Sequence, residues 1–595
     1  MMWENLPDDA RVAFEACVER TAFANSLRFL EHLRRFPLAF NLSPTARARD
    51  LIDYRKLVHM LARHAAAENL TSEKLRQSQY DSSEAEKAFD WTAWVCLHFH
   101  TDAHSPPPRS LGQGADSALY DNWAAEALRY AEMGKARGIG DSLRKQQPGI
   151  LDNNPEIGLE GDKELLSDLP SWLDPETLVI HLTLIHEGLG AICIDTSGIP
   201  HAQCSPGFGT WDAMSLNSSI FGTIEHPNFA GDLDDNPDPQ ARVRTKRRGD
   251  RIQRAIAKLS AALISPISHL LLQPSSSSSS SSSSRLHAKK RLCFIPAGLL
   301  TRTFAVYSAP SLSVLKMLSQ SAKQHPPPSN NKTIVVIAAH DDNDPLLPNA
   351  AECVDAAAQF GPQQGLLVSA STLDKAGMLD LLARHDFVHI GAHGTVKYDR
   401  PLASRIRLRP GNEITVADLH DARSSSRARL VFFSACLVAL GHSSMTDDMT
   451  GFPTAVLASG ALAFAGSLWS AHAVAALFFA HFLYEELLAG SQKSGSLGSM
   501  NVERDPEAGG RSLVDALAQA RRRLRRLDRE EAGEIVEKMQ KRWESSRDNG
   551  QGLPDDGSRD VARFFEQYHD KNARDNFVNL YFWAPFVLVG YSHQL

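Results

Sequence analysis

Two short apolar runs, each carrying a chemically reactive side chain at its end, stand out in the hydrophobic pattern of this chain. The first is Asp386–Gly394, with a histidine near its end, and the second is Arg429–Cys436. Continuous apolar character is typical of strands that are buried on both faces of a parallel sheet. About 35 residues separate the two runs, which is enough for a right-handed crossover. Thr415, with Asp418 three positions later, predicts the start of a helix in that crossover.

The neighbouring segments alternate between strand and helix patterns. Thr333–Ala338 and Gly365–Ala370 predict further strands, and Phe577–Tyr591 predicts a last core strand. Asn349–Phe360 predicts a helix, and a second helix, capped by Ser371, is predicted to follow. This alternation predicts an α/β fold in which helices cover a central sheet.

The long apolar segment Phe452–Leu488 needs a separate interpretation, because it approaches the length of a membrane span. Glycine, serine and histidine interrupt it, so Gly460–Leu468 predicts a buried strand and Ala473–Leu488 a packed helix. We therefore expect no transmembrane helix here.

The amino-terminal part of the chain has helical periodicity and few strand signals. Residues 1–150 predict an all-α region, and the acidic, loop-like stretch 151–174 predicts a linker. Thr177–Ile185 and Leu189–Asp195 then predict a hairpin. We place the start of the α/β domain at 175 and extend it over 175–595.

Low-complexity and polar stretches predict inserts within that domain. Ser275–Ser284 is a serine homopolymer that cannot bury a core, so it predicts a flexible linker. The segments 491–510 and 528–576 are the other predicted inserts.

Composition and charge exclude several classes of protein. Of 595 residues, 43% are hydrophobic and 22% charged, as in ordinary globular proteins, and the net charge of -7 argues against bulk nucleic-acid binding. The arginine-rich run Arg521–Arg526 is followed at once by acidic residues, which predicts a solvated helix face instead of a nucleic-acid site. Seven scattered cysteines without a CxxC motif indicate reduced thiols. The acidic amino terminus lacks the apolar run of a signal peptide, so we expect a cytoplasmic protein.

The chemistry predicted from the two runs is that of a cysteine–histidine pair. If the strands are parallel neighbours, His393 and Cys436 project from the same edge of the sheet, where open α/β sheets place their active sites. A histidine beside a cysteine can generate a thiolate nucleophile, and free N–H groups after each strand can hold an oxyanion. The alternative is a small buried cysteine and a structural histidine. His389 and His393 also form an HxxxH spacing, but on a strand they lie about 13 Å apart, which disfavours zinc.

The residues around this pair resemble the CHAT family, peptidase-like domains related to caspases and separase. The motifs that carry the resemblance are His393–Gly394, Ser434–Cys436, Pro401–Leu408, Gly460–Trp469 and Trp583–Phe586. The resemblance implies a caspase-like fold and a cysteine endopeptidase with catalytic His393 and Cys436. The backbone N–H groups of Gly394 and Cys436 are the expected oxyanion donors. No metal or organic cofactor is expected.

The resemblance extends weakly into the amino-terminal region. The run Trp123–Leu143 is similar to the helix that joins a tetratricopeptide array to a CHAT domain, although no clean repeat period is visible. It implies a protein or peptide substrate and a regulatory protein partner at the amino-terminal helices, with no nucleic acid or membrane partner. Asp447 and Asp448 could meet a basic substrate side chain, although a plain polar loop is the alternative.

Two departures from the family pattern favour a second hypothesis. Ser470 stands after Trp469 where the family often has an acidic residue, and the segment Leu300–Phe304 is short. A catalytically inactive CHAT scaffold that binds partners is therefore the alternative to a peptidase. The substrate, the trigger and the oligomeric state do not follow from the sequence.

Overall fold

We describe the fold from a computed structural model of the chain. The described residues are 93–94, 96–97, 123–135, 143, 166, 168–184, 188–224, 239–271, 291–297, 300, 307–324, 332–339, 347–397, 400–409, 411–421, 426–440, 442–443, 449–489, 512–548, 559, 561–566 and 577–592.

The strands within these residues form one large sheet and two small sheets. In chain order they are β1 Thr177–Leu184, β2 Gly188–Ile194, β3 His201–Pro206, β4 Arg291–Ile295, β5 Tyr307–Ser308, β6 Ile334–Ala338, β7 Gly365–Ser369, β8 Phe387–Gly391, β9 His393–Thr395, β10 Arg405–Arg409, β11 Asn412–Thr415, β12 Leu430–Ser434, β13 His442–Ser443, β14 Met449–Thr450, β15 Ala463–Ser467 and β16 Phe586–Gly590.

Helices cover the sheet and account for most of the remaining described residues. In chain order they are α1 Trp123–Gly134, α2 Leu169–Trp172, α3 Thr210–Ile224, α4 Pro239–Leu271, α5 Leu312–Gln324, α6 Leu347–Phe360, α7 Lys375–Arg384, α8 Val416–Asp421, α9 Phe452–Ala458, α10 Ala473–Leu488, α11 Leu513–Arg526, α12 Arg529–Asp548 and α13 Leu580–Trp583.

The large sheet has eleven strands in the order β3-β2-β1-β4-β5-β16-β15-β12-β8-β6-β7. Strands β15, β12, β8, β6 and β7 are parallel to one another, as expected for βαβ connections. Strand β16 runs antiparallel to β15 but parallel to β5, which in turn is parallel to β4. The strand direction therefore reverses between β15 and β16 in the middle of the sheet, in addition to the antiparallel pairs β1–β2 and β2–β3 near one end.

The apolar runs that predict central strands are buried on both faces. Every residue of β6, β8, β12 and β15 is buried, which confirms the predicted strand character of the two runs. The predicted hairpin is also confirmed, because β1 and β2 pair antiparallel with Val179 opposite Ile194.

Helix α10 is apolar on all sides because it is packed between other elements of the core. Phe432 of β12 meets Phe479 of α10 edge-on at 5.8 Å, and Phe479 stacks on Phe586 at 3.9 Å. The predicted buried strand and packed helix in Phe452–Leu488 are therefore confirmed. Among the described residues, no helix combines the length and the apolar character that crossing a membrane requires.

The crossover between β8 and β12 contains more structure than its sequence predicted. The predicted helix start is confirmed, since the Thr415 N–H and hydroxyl both donate to Asp418, and Thr415 Oγ1 accepts from the Asp418 N–H. The helix that begins there, α8, is short. Before it, β9, β10 and β11 form a small antiparallel sheet.

Two predicted details are wrong. Ser371 does not cap a helix but lies in a 3₁₀ turn, and the cap of α7 is Asp374, whose carboxylate accepts from the Gly377 N–H at 2.7 Å. The segment Phe577–Tyr591 is not a continuous strand, because the short helix α13 precedes β16. In both cases a side-chain cap near the predicted boundary fixes the residue at which the helix begins. Asp374 is the cap of α7, and Asn579 is the cap of α13.

The described amino-terminal residues are helical, and α1 is anchored to the sheet by buried polar contacts. Glu132 accepts hydrogen bonds from the N–H groups of Leu312 and Ser313 at the start of α5, and it pairs with His181 of β1 at 2.9 Å. Lys135 Nζ donates to the carbonyl of Pro296 at 2.7 Å.

The boundaries 1–150, 151–174 and 175–595 remain predictions, as do the three inserts. Ser275–Ser284 and 491–510 lie outside the described residues, as do 301–304 of the short segment after β4. Within 528–576, the described helix α12 packs on α6, where Arg542 pairs with Asp355 at 2.7 Å.

Candidate active site

Strand register brings the two predicted residues to the same edge of the sheet. In the parallel pair β8–β12, Gly391 lies opposite Ser434. The Ala392 N–H donates to the Ser434 carbonyl at 3.3 Å and continues the pairing past the end of the strands. His393 and Cys436 each follow two residues after this last pair, so both leave the sheet at its carboxyl edge.

The backbones that carry the two residues touch at Gly394. A Cβ at Gly394 would lie 2.6 Å from the Cys436 carbonyl oxygen and 2.8 Å from a methyl carbon of Val438. Only glycine permits this approach. His393 itself is partly buried and belongs to β9, where it pairs with Arg407 of β10. The small sheet therefore fixes the histidine backbone, and β12 fixes the cysteine.

Cys436 sits in a tight turn directly after β12. Leu437, the next residue, has φ of 64° and is the one non-glycine residue with a positive φ among the described residues. Such strained backbone often marks functional sites. The turn is held against β15, because Ser467 Oγ donates to the Ala435 carbonyl at 2.7 Å and the Ala439 N–H donates to the Ser467 carbonyl at 2.9 Å.

The electrostatic surroundings of Cys436 act in opposite directions. Burial raises the pKa of the thiol above its ordinary value, while hydrogen bonds from the Ser470 hydroxyl and the Ala471 N–H to the sulfur act to lower the pKa. Cys204, the other partly exposed thiol among the described residues, has its pKa raised to about 12 by burial. Cys436 is therefore placed among donors that favour its thiolate, although burial still keeps the thiol protonated at neutral pH.

The Ser470 segment is fixed by the carboxyl-terminal part of the chain. Tyr581 Oη donates to the Ser470 carbonyl at 2.9 Å, and Trp469 Nε1 donates to the Tyr581 carbonyl at 3.0 Å. Sequence reasoning did not identify Ser470, Ala471 or Tyr581 as residues of the site. The departure of Ser470 from the family pattern was the one available signal.

A model of the CHAT domain matches residues 249–591, which is more than half of the chain. The chain belongs to the CHAT family. This confirms the predicted family and, with the helix-covered sheet, the predicted caspase-like α/β fold. Strands β1 to β3 of the large sheet lie before the matched residues of the CHAT domain.

Solved structures of separase share a low overall similarity with this CHAT protein. Two Saccharomyces cerevisiae separase–securin complexes match with TM-scores of 0.47 and 0.49 and identities of 12% and 10%. The matches cover 81% and 86% of this chain but 36% and 39% of the separase chains. No curated protein sequence matches the chain.

Asp447, Asp448 and His389 are the other residues that the sequence singled out near the pair. Asp447 and Asp448 lie outside the described residues. His389 is buried in β8, where its Nδ1 is 2.8 Å from Tyr484 Oη and its Nε2 is 3.3 Å from Glu352. The HxxxH pair is thus divided between two sheets, and no group of three or more potential metal ligands occurs in the described part of the chain.

Proposed function

We propose that this CHAT protein is a cysteine endopeptidase that cleaves peptide bonds in protein substrates with Cys436 and His393. The observation that supports this most directly is the β8–β12 register, which leaves both residues two positions beyond the same strand pair. Membership of the CHAT family supports the same chemistry.

The proposed reaction needs no group beyond the chain and water. His393 accepts the thiol proton of Cys436, and the sulfur attacks the scissile carbonyl carbon. The imidazolium returns the proton to the leaving amine as the C–N bond breaks, which leaves a thioester on Cys436. Water, deprotonated by His393, then attacks the thioester and releases the carboxylate and the free thiol.

The N–H groups of Gly394 and Cys436 are the proposed oxyanion donors. Support comes from the close approach of the two backbones, because a Cβ at Gly394 would lie 2.6 Å from the Cys436 carbonyl oxygen. Asp447 and Asp448 are retained as proposed contacts to a basic substrate side chain.

An inactive scaffold is the second candidate, and two observations favour it. Burial raises the pKa of Cys436, and Ser470 stands where the CHAT pattern often has an acidic residue. A thiol that stays protonated attacks carbonyls slowly. A latent peptidase, released by a partner at the amino-terminal helices, would show the same resting state.

A thiol-reactive peptide acyloxymethyl ketone tests the proposal. We expect it to label the wild-type protein, to fail with Cys436→Ala, and to label His393→Ala at least about tenfold more slowly. Cys204→Ala is the matched control, because Cys204 is also partly exposed but lies on β3 at the edge of the sheet. Equal labelling of wild type and Cys436→Ala would end the peptidase proposal and leave the scaffold.

A further inference from the structure

Arg521 of α11 carries a charge that the described structure does not neutralise. Its Nη1 is sealed from solvent and has no hydrogen-bond partner among the described residues, although part of the side chain still reaches the surface. Burial alone lowers the pKa of the guanidinium to about 10, so it stays charged at neutral pH. A desolvated cation without an anion is costly in a folded protein.

The neighbouring arginine shows how such a charge is ordinarily satisfied. Arg523, on a different face of α11, pairs with Glu485 at 2.8 Å and lies 4.2 Å from the Phe482 ring. Arg521 also lies before the last turn of α11, where the helix dipole would favour a cation. Arg521 therefore lacks the anionic partner and the last-turn position, and an aromatic ring is the one compensation that the described residues give it.

Arg521 and Arg525 flank one aromatic ring. Their guanidinium carbons lie 5.3 Å and 5.5 Å from the centre of the Trp583 indole, and the i,i+4 spacing puts both on one face of α11. The Trp583 Nε1–H donates a hydrogen bond to the Val578 carbonyl at 3.1 Å, and the Val578 side chain is exposed. Two cations, an indole and an apolar residue thus share a small surface, which we call the Trp583 surface.

The Trp583 surface is joined to the segment that places Ser470 beside Cys436. Trp583 lies two residues after Tyr581, whose hydroxyl donates to the carbonyl of Ser470. The Leu468 N–H donates to the Pro585 carbonyl at 3.0 Å, so α13 is fixed to the segment after β15 from both ends. A peptide whose backbone reached Cys436 could extend across this surface.

We propose that Arg521, with Arg525 and Trp583, binds an anionic side chain, a carboxylate or a phosphate, of a peptide that lies beside Cys436. Planar guanidinium groups bind both oxyanions in bidentate geometry. The inference rests on the proposed function in treating this peptide as a substrate; the binding itself does not require catalysis.

Fluorescence anisotropy tests the binding with a short labelled peptide of alternating glutamate and alanine, and with matched glutamine and phosphoserine peptides. We expect the glutamate or the phosphoserine peptide to bind the full-length protein more tightly than the glutamine peptide, and the tighter of the two identifies the anion. Arg521→Gln should weaken that binding by at least about tenfold, the size expected for a charge-assisted hydrogen bond.

Arg522→Gln is the matched control, because Arg522 is exposed on the same helix and the change removes the same charge. It should weaken binding by less than about twofold. Equal losses in Arg521→Gln and Arg522→Gln would indicate general attraction to the arginine run and overturn the proposal. Inorganic phosphate that binds as tightly as any peptide would overturn the assignment to a peptide.

The variant Arg521→Met tests whether a loss of binding results from misfolding. Because it removes an unpaired buried cation, its melting temperature should equal or exceed that of the wild type while peptide binding is lost. A lower melting temperature with unchanged binding would show that Arg521 is only structural. Binding is also measured in Cys436→Ala, which lacks the thiol. Arg521-dependent binding without ketone labelling of the wild type would support the anion-binding Trp583 surface and end the peptidase proposal. Labelling of the wild type without Arg521-dependent binding would support the peptidase proposal and overturn the Trp583 surface.

Discussion

At the scale of single residues, Ser470 is the side chain that most directly affects the reactivity of Cys436. Its hydroxyl donates to the sulfur and lowers the pKa of the thiol, while burial raises that pKa. A donor to sulfur stabilises the thiolate more than the thiol. Ser470 therefore compensates in part for the cost of placing Cys436 in a confined turn.

Replacing Ser470 should make Cys436 harder to ionise. In Ser470→Ala the pKa of Cys436 should rise further, so the rate of iodoacetamide alkylation at neutral pH should fall by up to roughly tenfold and recover at alkaline pH. The measurement is the pH profile of alkylation at Cys436, followed by mass spectrometry, with Cys204 as the internal control. An unchanged profile would mean that the Ser470 hydroxyl does not act on the thiolate.

The sequence predicts the site residues that lie at the ends of apolar strands. It does not predict the residues whose positions depend on packing against distant parts of the chain. His393 and Cys436 end apolar runs, and that pattern is local. Ser470 meets the sulfur because Tyr581 and Trp469 hold its segment, which no local pattern encodes. The contact of Arg521 with Trp583, about sixty residues further along the chain, is likewise not encoded locally. Arg522, Arg525 and Arg526 are exposed, as the predicted solvated helix face requires.

At the scale of secondary-structure elements, one buried polar cluster joins α6, α10 and α12. His481 Nδ1 lies 2.8 Å from Asp355, and its Nε2 lies 3.5 Å from Glu485. Arg542 pairs with the other oxygen of Asp355. Burial acts to lower the pKa of His481, but the hydrogen bonds and charges of Asp355 and Glu485 outweigh it and raise the pKa to about 9.

Because of this cluster, the free energy of unfolding should decrease as the pH rises into the alkaline range. Because the folded-state pKa of His481 lies above its ordinary value of 6.5, its contribution is fully present below pH 6.5 and is lost as the pH rises through about 9. His481→Gln should cost about 3 kcal/mol at low pH and progressively less above neutrality. Urea unfolding of both proteins across this pH range measures the difference.

The control for that experiment is Lys538→Gln, which breaks an exposed pair with Glu534 on the same helix α12. Its effect should stay below about 0.5 kcal/mol at every pH. A pH-independent deficit in His481→Gln would show that the imidazole acts through packing alone.

Element boundaries were predictable where a side-chain cap or an apolar run is strong, as at Thr415 and in β12. The predicted boundary was wrong where two polar residues could each cap the helix, as Ser371 and Asp374 could before α7. The β9–β11 sheet escaped prediction because its strands are short and only partly buried. That small sheet is nevertheless what supports His393.

At the scale of the whole molecule, the contacts of α1 and Cys436 lie at opposite edges of the sheet. Phe294, Ser308, Val589 and Phe464 form one row of paired residues across four strands. Beyond this row, β4 continues toward the contacts of α1. In the other direction, β15 and β12 continue toward Cys436. The described amino-terminal helix therefore does not cover the candidate site.

Removing the Glu132 carboxylate should weaken the attachment of α1 without altering the site. Glu132→Ala removes the acceptor at the start of α5 and the partner of His181, so it should destabilise the fold by about 3 kcal/mol. Alkylation of Cys436 under native conditions should stay within about twofold of wild type. Hydrogen exchange in α1 and the alkylation rate are the two measurements. A large change in alkylation would instead reveal coupling between the two edges.

The central position of β16 has a consequence for the order in which this protein can assemble. Five strands lie on each side of β16, and all ten precede it in the chain. During synthesis, each group of five can form early, but nothing in the sheet joins them until the ribosome has released residues 586–590. The Ser470 segment beside Cys436 also needs Tyr581, which is synthesised shortly before β16. A nascent chain would thus carry its thiol before the residues that fix Ser470 beside it are present.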